Sequence, residues 1–210
     1  PFLVLLVLSI LGMAGLCVVM SRFYPDDLTL NFYPVLIFLG TLCGCSIATF
    51  SVGVGQVSYW FPQSKQGTVL GLYAGLGNLA PGIFALLLPI AMQNLGLANT
   101  YLAWLIFLSI GTAIYWFLGR NAWYFQLLEQ GMTPEAAKKE AQERYQQEIF
   151  PKGNVKQSLI VSAQNWKTWA LFTIYFTTFG GFIALTAWFP IYWSSYFGMP
   201  IVLAGVMTAA

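Results

Sequence analysis

The chain has 210 residues, of which 58% are hydrophobic, 17% aromatic and only 8% charged, with a formal net charge of +2 and no histidine. Soluble domains carry about a quarter charged residues, so this composition and a mean hydropathy of +0.70 exclude one and point to an integral membrane protein. Without an imidazole there is no Ser-His or Cys-His pair and no histidine metal ligand, which removes most intramembrane enzymes. We therefore expect no enzyme, no metal and no cofactor.

Apolar runs follow one another at Phe2 to Met20, Pro34 to Phe61, Gly67 to Met92, Tyr101 to Leu118 and Thr168 to Trp193, and a sixth opens at Pro200. Each complete run meets or nearly meets the ~20 residues that carry a helix across ~30 Å of hydrocarbon. Barrel strands need only ~10 residues of alternating pattern, so the expected class is an all-α membrane protein. Both ends of the chain fall beside or inside apolar segments, and the expectation is an internal piece of a longer protein. Cys17, Cys43 and Cys45 lie within runs and read as small buried hydrophobes.

Seven of the nine Lys and Arg residues fall between Arg120 and Lys167, and Lys65 occupies the turn after the second run. The positive-inside rule puts both segments in the cytoplasm, with Ser21 to Tyr33, Gln93 to Thr100 and Ser194 to Met199 outside. This distribution argues against a nucleic-acid partner and makes the lipid bilayer the surrounding phase. Within the inner segment Thr133, Pro134 and Glu135 form a helix start: a capping hydroxyl, proline at the first position and an acid in the first turn. Glu135 with Lys139 and Glu140 with Arg144 pair at four residues, predicting an exposed helix to about Gln147, closed by Pro151, Gly153 and Asn154. Ala137, Ala141, Tyr145 and Ile149 make a weak apolar stripe on it, and the helix reads as solvated or lying on the membrane surface between two bundles.

The most informative stretch runs from Phe61 to Pro89. Gly67, Gly71, Gly75, Asn78 and Gly82 succeed one another at steps of four, four, three and four, which puts all five on one helical face. Glycine there lets another backbone or a small ligand come close, and Gly67, Gly71 and Gly82 are read as helix-packing positions. An amide inside hydrocarbon is costly unless paired, so Asn78 must answer something polar, either a neighbouring helix or a ligand. No Asp or Glu lies in any run, so a carboxylate proton relay is not expected here.

Three stretches together are FPQSKQG, then GTVLGLYAGLGNLAPG, then TIYFTTFGGFIALTAWFP. In these the chain resembles the nitrate/nitrite porter family of the major facilitator superfamily, with AGLGNL at Ala74 to Leu79 similar to the family's nitrate signature in its fifth helix. The resemblance implies the twelve-helix transporter fold. Residues 1–118 would be helices three to six of the N-terminal bundle, 119–167 the cytoplasmic linker with its charged helix, and 168–210 helix seven and the beginning of helix eight. It further implies a monomer in the cell inner membrane that moves nitrate, nitrite or both by alternating access, by exchange or proton symport. The substrate would lie against Asn78 and the backbone at Gly75 and Gly77, with Phe50 packing on the flat anion and Tyr175 donating a hydroxyl. No run contains a buried Arg or Lys, and the counter-charge is expected from one arginine in helix two and one in helix eight, outside this stretch. Ala80 and Pro81 depart from the family's usual glycine, which predicts a kink near Pro81. A carrier of the same architecture for another small anion or an organic acid remains the alternative.

Overall fold

A computed structural model describes residues 2–151 and 155–209, and every regular element in them is helical. Apolar sequence of this length has few other choices, because in hydrocarbon each backbone N–H and C=O must be paired within its own segment. The helices are α1 (Phe2–Phe23), α2 (Tyr33–Gly44), α3 (Thr49–Trp60), α4 (Gln66–Leu95), α5 (Leu97–Leu118), α6 (Trp123–Glu129), α7 (Pro134–Tyr145), α8 (Val155–Gln164), α9 (Trp166–Phe197) and α10 (Ile201–Ala209). Five helical stretches are long and apolar enough to cross a membrane: Phe2–Phe23, Leu30–Trp60, Gln63–Leu95, Leu97–Leu118 and Trp166–Phe197. They correspond one to one with the five complete apolar runs.

Two departures have identifiable causes. The second run is not one uniform helix, since a 3-10 segment, Cys45–Ala48, joins α2 to α3. There the Cys43 carbonyl accepts from Ser9 Oγ at 2.9 Å and from Ser46 Oγ at 2.9 Å, and hydroxyl back-bonding of this kind competes with the regular α-helical ladder. The outer loop expected over Gln93 to Thr100 shrinks to one residue, Gly96, at φ 76° and ψ 167°. That conformation is accessible to glycine alone, so α4 ends and α5 begins without spacer residues.

The chain forms two compact units. The first comprises the residues up to Tyr73 together with Ala91–Ile149, and the second Ala74–Ile90 with the residues from Phe150 onward. In the first, α1 packs against α2 and α5. Its buried residues include Ser9, Met13, Val19 and Met20, and Gly12 faces the α2 backbone at Leu39 and Cys43 so closely that a Cβ would lie 2.7 Å from either.

The charged segment holds more structure than its sequence announces. Thr133 caps α7 as expected, its Oγ1 accepting from Ala136 N at 3.4 Å, and Arg144 meets Glu140 at 3.2 Å. The Glu135–Lys139 pair is not made among the described residues. Most of the helix is exposed, but its apolar stripe is not: Ala137 and Ala141 are 0% exposed and Tyr145 stacks on Trp123, so the stripe is covered by α6. Gln146, left-handed at φ 54°, ends the helix by sending Gln147 N back to the Ala141 carbonyl at 3.0 Å. Gly153 and Asn154, expected to end it, lie outside the described residues.

In the second unit α8 and α9 are joined by Trp169 Nε1, which donates to the Ala163 carbonyl at 2.7 Å, while Asn165 caps α9 by accepting from Lys167 N at 3.1 Å. Helix α10 packs on α9 and on the later part of α4. Ala204 is fully buried, and a Cβ added at Gly205 would come within 2.5 Å of the Ala85 carbonyl and 2.8 Å of Pro89 Cγ. Only a residue without a side chain permits that approach.

Candidate functional site

Asn78 lies near the middle of the 30-residue helix α4, which continues as α-helix through both Pro81 and Pro89. Each proline withholds one N–H, so the carbonyls of Gly77 and Ala85, four residues earlier, lose their intrahelical donor. The amide of Asn78 is exposed, and among the described residues it makes no hydrogen bond. Around it, Cβ atoms placed on Gly71, Gly75 or Gly77 would meet no atom within 4 Å, and the same holds at Gly67. At Gly82 the Ala209 carbonyl lies 3.7 Å away, an ordinary contact made by α10. Among the described residues, then, the last glycine of this face is approached by another helix and the earlier ones are not.

Phe50 is the second residue of α3, two residues after the 3-10 segment. Its ring stacks on Tyr73 with centroids 5.6 Å apart and planes 17° from parallel, and Tyr73 donates its hydroxyl to the Phe50 carbonyl at 3.4 Å. Gly53, one turn further on, makes room for that hydroxyl; a Cβ there would collide with it. Tyr73 is a supporting residue that the spacing pattern did not single out. Its signal was only an aromatic on the α4 stretch, and the partner on α3 is a tertiary fact.

In the second unit Tyr175 is 48% exposed and stacks on Phe179, with centroids 5.0 Å apart and planes 9° from parallel. Thr178, three residues on, turns its hydroxyl back to the Ile174 carbonyl at 2.7 Å and is spent on the helix. Thr173, Thr177 and Thr186 do likewise, each on the carbonyl four residues earlier. Of the hydroxyls on this part of α9, the Tyr175 phenol is the one held by a ring stack with its oxygen unpaired among the described residues. Phe179, which sequence reasoning passed over, fixes that ring, and its i+4 position was the available clue.

The five candidate residues divide between the units: Phe50 in the first, and Gly75, Gly77, Asn78 and Tyr175 in the second. No hydrogen bond or ring contact joins Asn78 to Tyr175 among the described residues. What the two have in common is chemistry: an amide and a phenol, both donors in apolar surroundings, on separate helices. No group of three or more His, Cys, Asp or Glu side chains among the described residues could hold a metal ion.

The family model for the Major Facilitator Superfamily matches residues 2–210. The chain belongs to that superfamily. Among its relatives, the nitrite extrusion protein of Bacillus subtilis is 28% identical over 174 residues, covering 83% of this chain and 38% of the relative. The nitrate/nitrite transporter NarU of Escherichia coli is 26% identical over 175 residues, with 75% of this chain and 32% of the relative covered. A probable nitrate/nitrite antiporter, NarK1 of Thermus thermophilus, is 28% identical over 183 residues, covering 84% and 37%. The chain thus spans about a third of the length of the curated relatives it matches. No solved structure matches it significantly. Membership in the superfamily accounts for the all-helical architecture and for the five membrane-length stretches.

Proposed function

We propose that the full-length protein is a secondary carrier of nitrate, nitrite or both, working as a monomer in the cytoplasmic membrane by alternating access. The observation that carries this reading is the unpaired Asn78 amide on an open glycine face of α4. In hydrocarbon or a dry site an amide without a partner costs about 1–3 kcal/mol, so an unpaired one at the centre of a membrane-length apolar helix is poised for a polar ligand. A planar oxyanion suits that face: it is small enough to approach the backbone at Gly75 and Gly77, and it accepts the hydrogen bonds that an amide and a phenol can give. Phe50, fixed by Tyr73, offers a flat ring. Relatives that carry the names of nitrite and nitrate/nitrite transporters favour the same anions. The counter-charge comes from arginines outside residues 1–210, whose guanidinium groups match a trigonal oxyanion by bidentate hydrogen bonding. The two halves of the carrier rock about a midplane site, the mechanism general to such folds.

Proteoliposomes holding the full-length protein and loaded with nitrite test this directly, with labelled nitrate outside. Uptake that needs internal nitrite and no pH gradient identifies exchange, and uptake that needs the gradient identifies proton symport. A protein that carries neither anion, and whose transport of some other organic or inorganic anion neither nitrate nor nitrite inhibits, is a carrier of a different substrate.

A further inference from the structure

The segment after α5 is folded onto the first unit, although its composition reads as a tether. Ala122, Leu127, Ala137 and Ala141 are at most 5% exposed and make a small core where α6 meets α7. Gln147, also 5% exposed, closes it. A buried amide is tolerable only with both ends paired, and here Oε1 accepts from Tyr124 N at 3.0 Å while Nε2 donates to the Ile149 carbonyl at 2.9 Å.

Four ties then run from this folded piece to the ends of the apolar helices. Trp123 stacks on Tyr145 at 4.2 Å between centroids and meets Trp60 of α3 edge-on at 5.9 Å. Phe125 meets Tyr59 edge-on at 5.3 Å. Gln56 of α3 donates to the Arg120 carbonyl at 3.0 Å and accepts from the Tyr115 hydroxyl at 3.0 Å, so one amide holds α3 to the last turn of α5 and to the second residue beyond it. Last, the Glu148 carboxylate accepts from Gln63 N at 2.7 Å, a charge-assisted bond to the turn that starts α4. That turn is also held from within, because Gln66 Nε2 donates to the Ser58 and Phe61 carbonyls at 3.0 and 2.8 Å.

We propose that residues 119–149 form a folded cap that grips the end of α3 and the α3–α4 turn, and that the cap travels with those helix ends through the transport cycle. The stretch is therefore part of the first bundle and supplies none of the slack between the halves. Aromatic packing, a satisfied buried amide and a charge-assisted hydrogen bond are independent of one another, and together they resist a hinge anywhere between Trp123 and Glu148.

Hydrogen exchange on the full-length protein in nanodiscs, with and without saturating nitrate and nitrite, tests the docking. The amides of residues 137–147 should be equally protected in every condition. Trp123→Ala should speed exchange about tenfold or more both there and in residues 61–66, and Glu148→Ala should do so in residues 61–66 alone. Open-chain exchange of 137–147 in the unaltered protein, or variants that leave 61–66 unchanged, overturns the cap. Whether it travels with the helix ends is read by transport, and only this arm rests on the carrier reading. Gln63→Cys and Glu148→Cys are paired in a protein whose other cysteines, Cys17, Cys43 and Cys45 among them, are replaced by alanine, and the pair is joined with a short thiol cross-linker. Uptake should stay within about twofold of the unlinked protein. Failure to link, or a loss of uptake absent from the same protein without cross-linker, overturns the one-body motion. A parent protein that carries neither anion removes the carrier reading and leaves the exchange result to decide the cap.

Discussion

On the proposed substrate face the Asn78 amide, unpaired among the described residues, is kept for the anion, whereas a packing face would pair it with a neighbouring helix. Replacing it by alanine should therefore cost little in folding and much in binding. We expect Asn78→Ala to weaken nitrate or nitrite uptake about ten- to a hundredfold, the equivalent of ~1–3 kcal/mol, while membrane abundance stays nearly unchanged. Uptake kinetics beside quantitative blotting separate the two, and equal loss of protein and transport would return Asn78 to a packing role. Gly53 makes the opposite case. Its missing side chain is the space that the Tyr73 hydroxyl occupies, and through Tyr73 it sets the Phe50 ring. Gly53→Val should destabilise the protein by about 1–3 kcal/mol, as overpacking does, and lower its thermal transition in detergent. Gly71→Val, where a Cβ meets nothing within 4 Å, is the matched comparison and should move that transition far less.

Turns and caps govern the elements. Gly96 alone joins α4 to α5 at φ 76° and ψ 167°, so Gly96→Ala should cost about 1–3 kcal/mol of stability in a thermal or denaturant assay. Thr133→Ala removes the α7 cap and should cost ~1 kcal/mol, seen as faster hydrogen exchange in the first turn of that helix. At this scale much was legible in advance. Apolar run length marked every membrane-length helix, and Thr133-Pro134-Glu135 marked the start of α7, because both signals are local in sequence. The one-residue turn at Gly96 was hidden by Asn94, Asn99 and Thr100, which resemble loop residues singly yet belong to the helices. The 3-10 segment at Cys45–Ala48 was hidden because Ser9, the residue that draws off the Cys43 carbonyl, comes from α1. At the candidate site, the helical spacing of Asn78 among glycines could be read directly. The rings that fix Phe50 and Tyr175 had no such signature: Tyr73 acts across helices, and Phe179 differs from its aromatic neighbours only once the ring planes are known.

For the whole molecule, the ties between cap and helix ends bear on membrane topology. Positive-inside reasoning assigned the Lys65 turn and the Arg120 to Lys167 segment to the cytoplasm separately, each from its own charges. The structure joins them: Gln63 N bonds Glu148, and Gln56 bonds the Arg120 carbonyl. Two segments in direct contact must lie on the same side of the bilayer, so the weak signal of one lysine and the strong signal of seven basic residues become a single assignment. Three membrane crossings separate Arg22 from Arg120, an odd number, which places Ser21 to Tyr33 on the opposite face. An amine reagent that cannot cross the membrane should therefore leave Lys65 and Lys139 unlabelled in intact cells and label both once the cells are permeabilised. Thr29→Cys, in the opposite loop, should react with an impermeant maleimide without permeabilisation. Mass spectrometry of the modified peptides reads each position. Labelling of Lys139 in intact cells would invert the orientation, and labelling of Lys65 but not Lys139 from outside would break the contact between cap and turn as well.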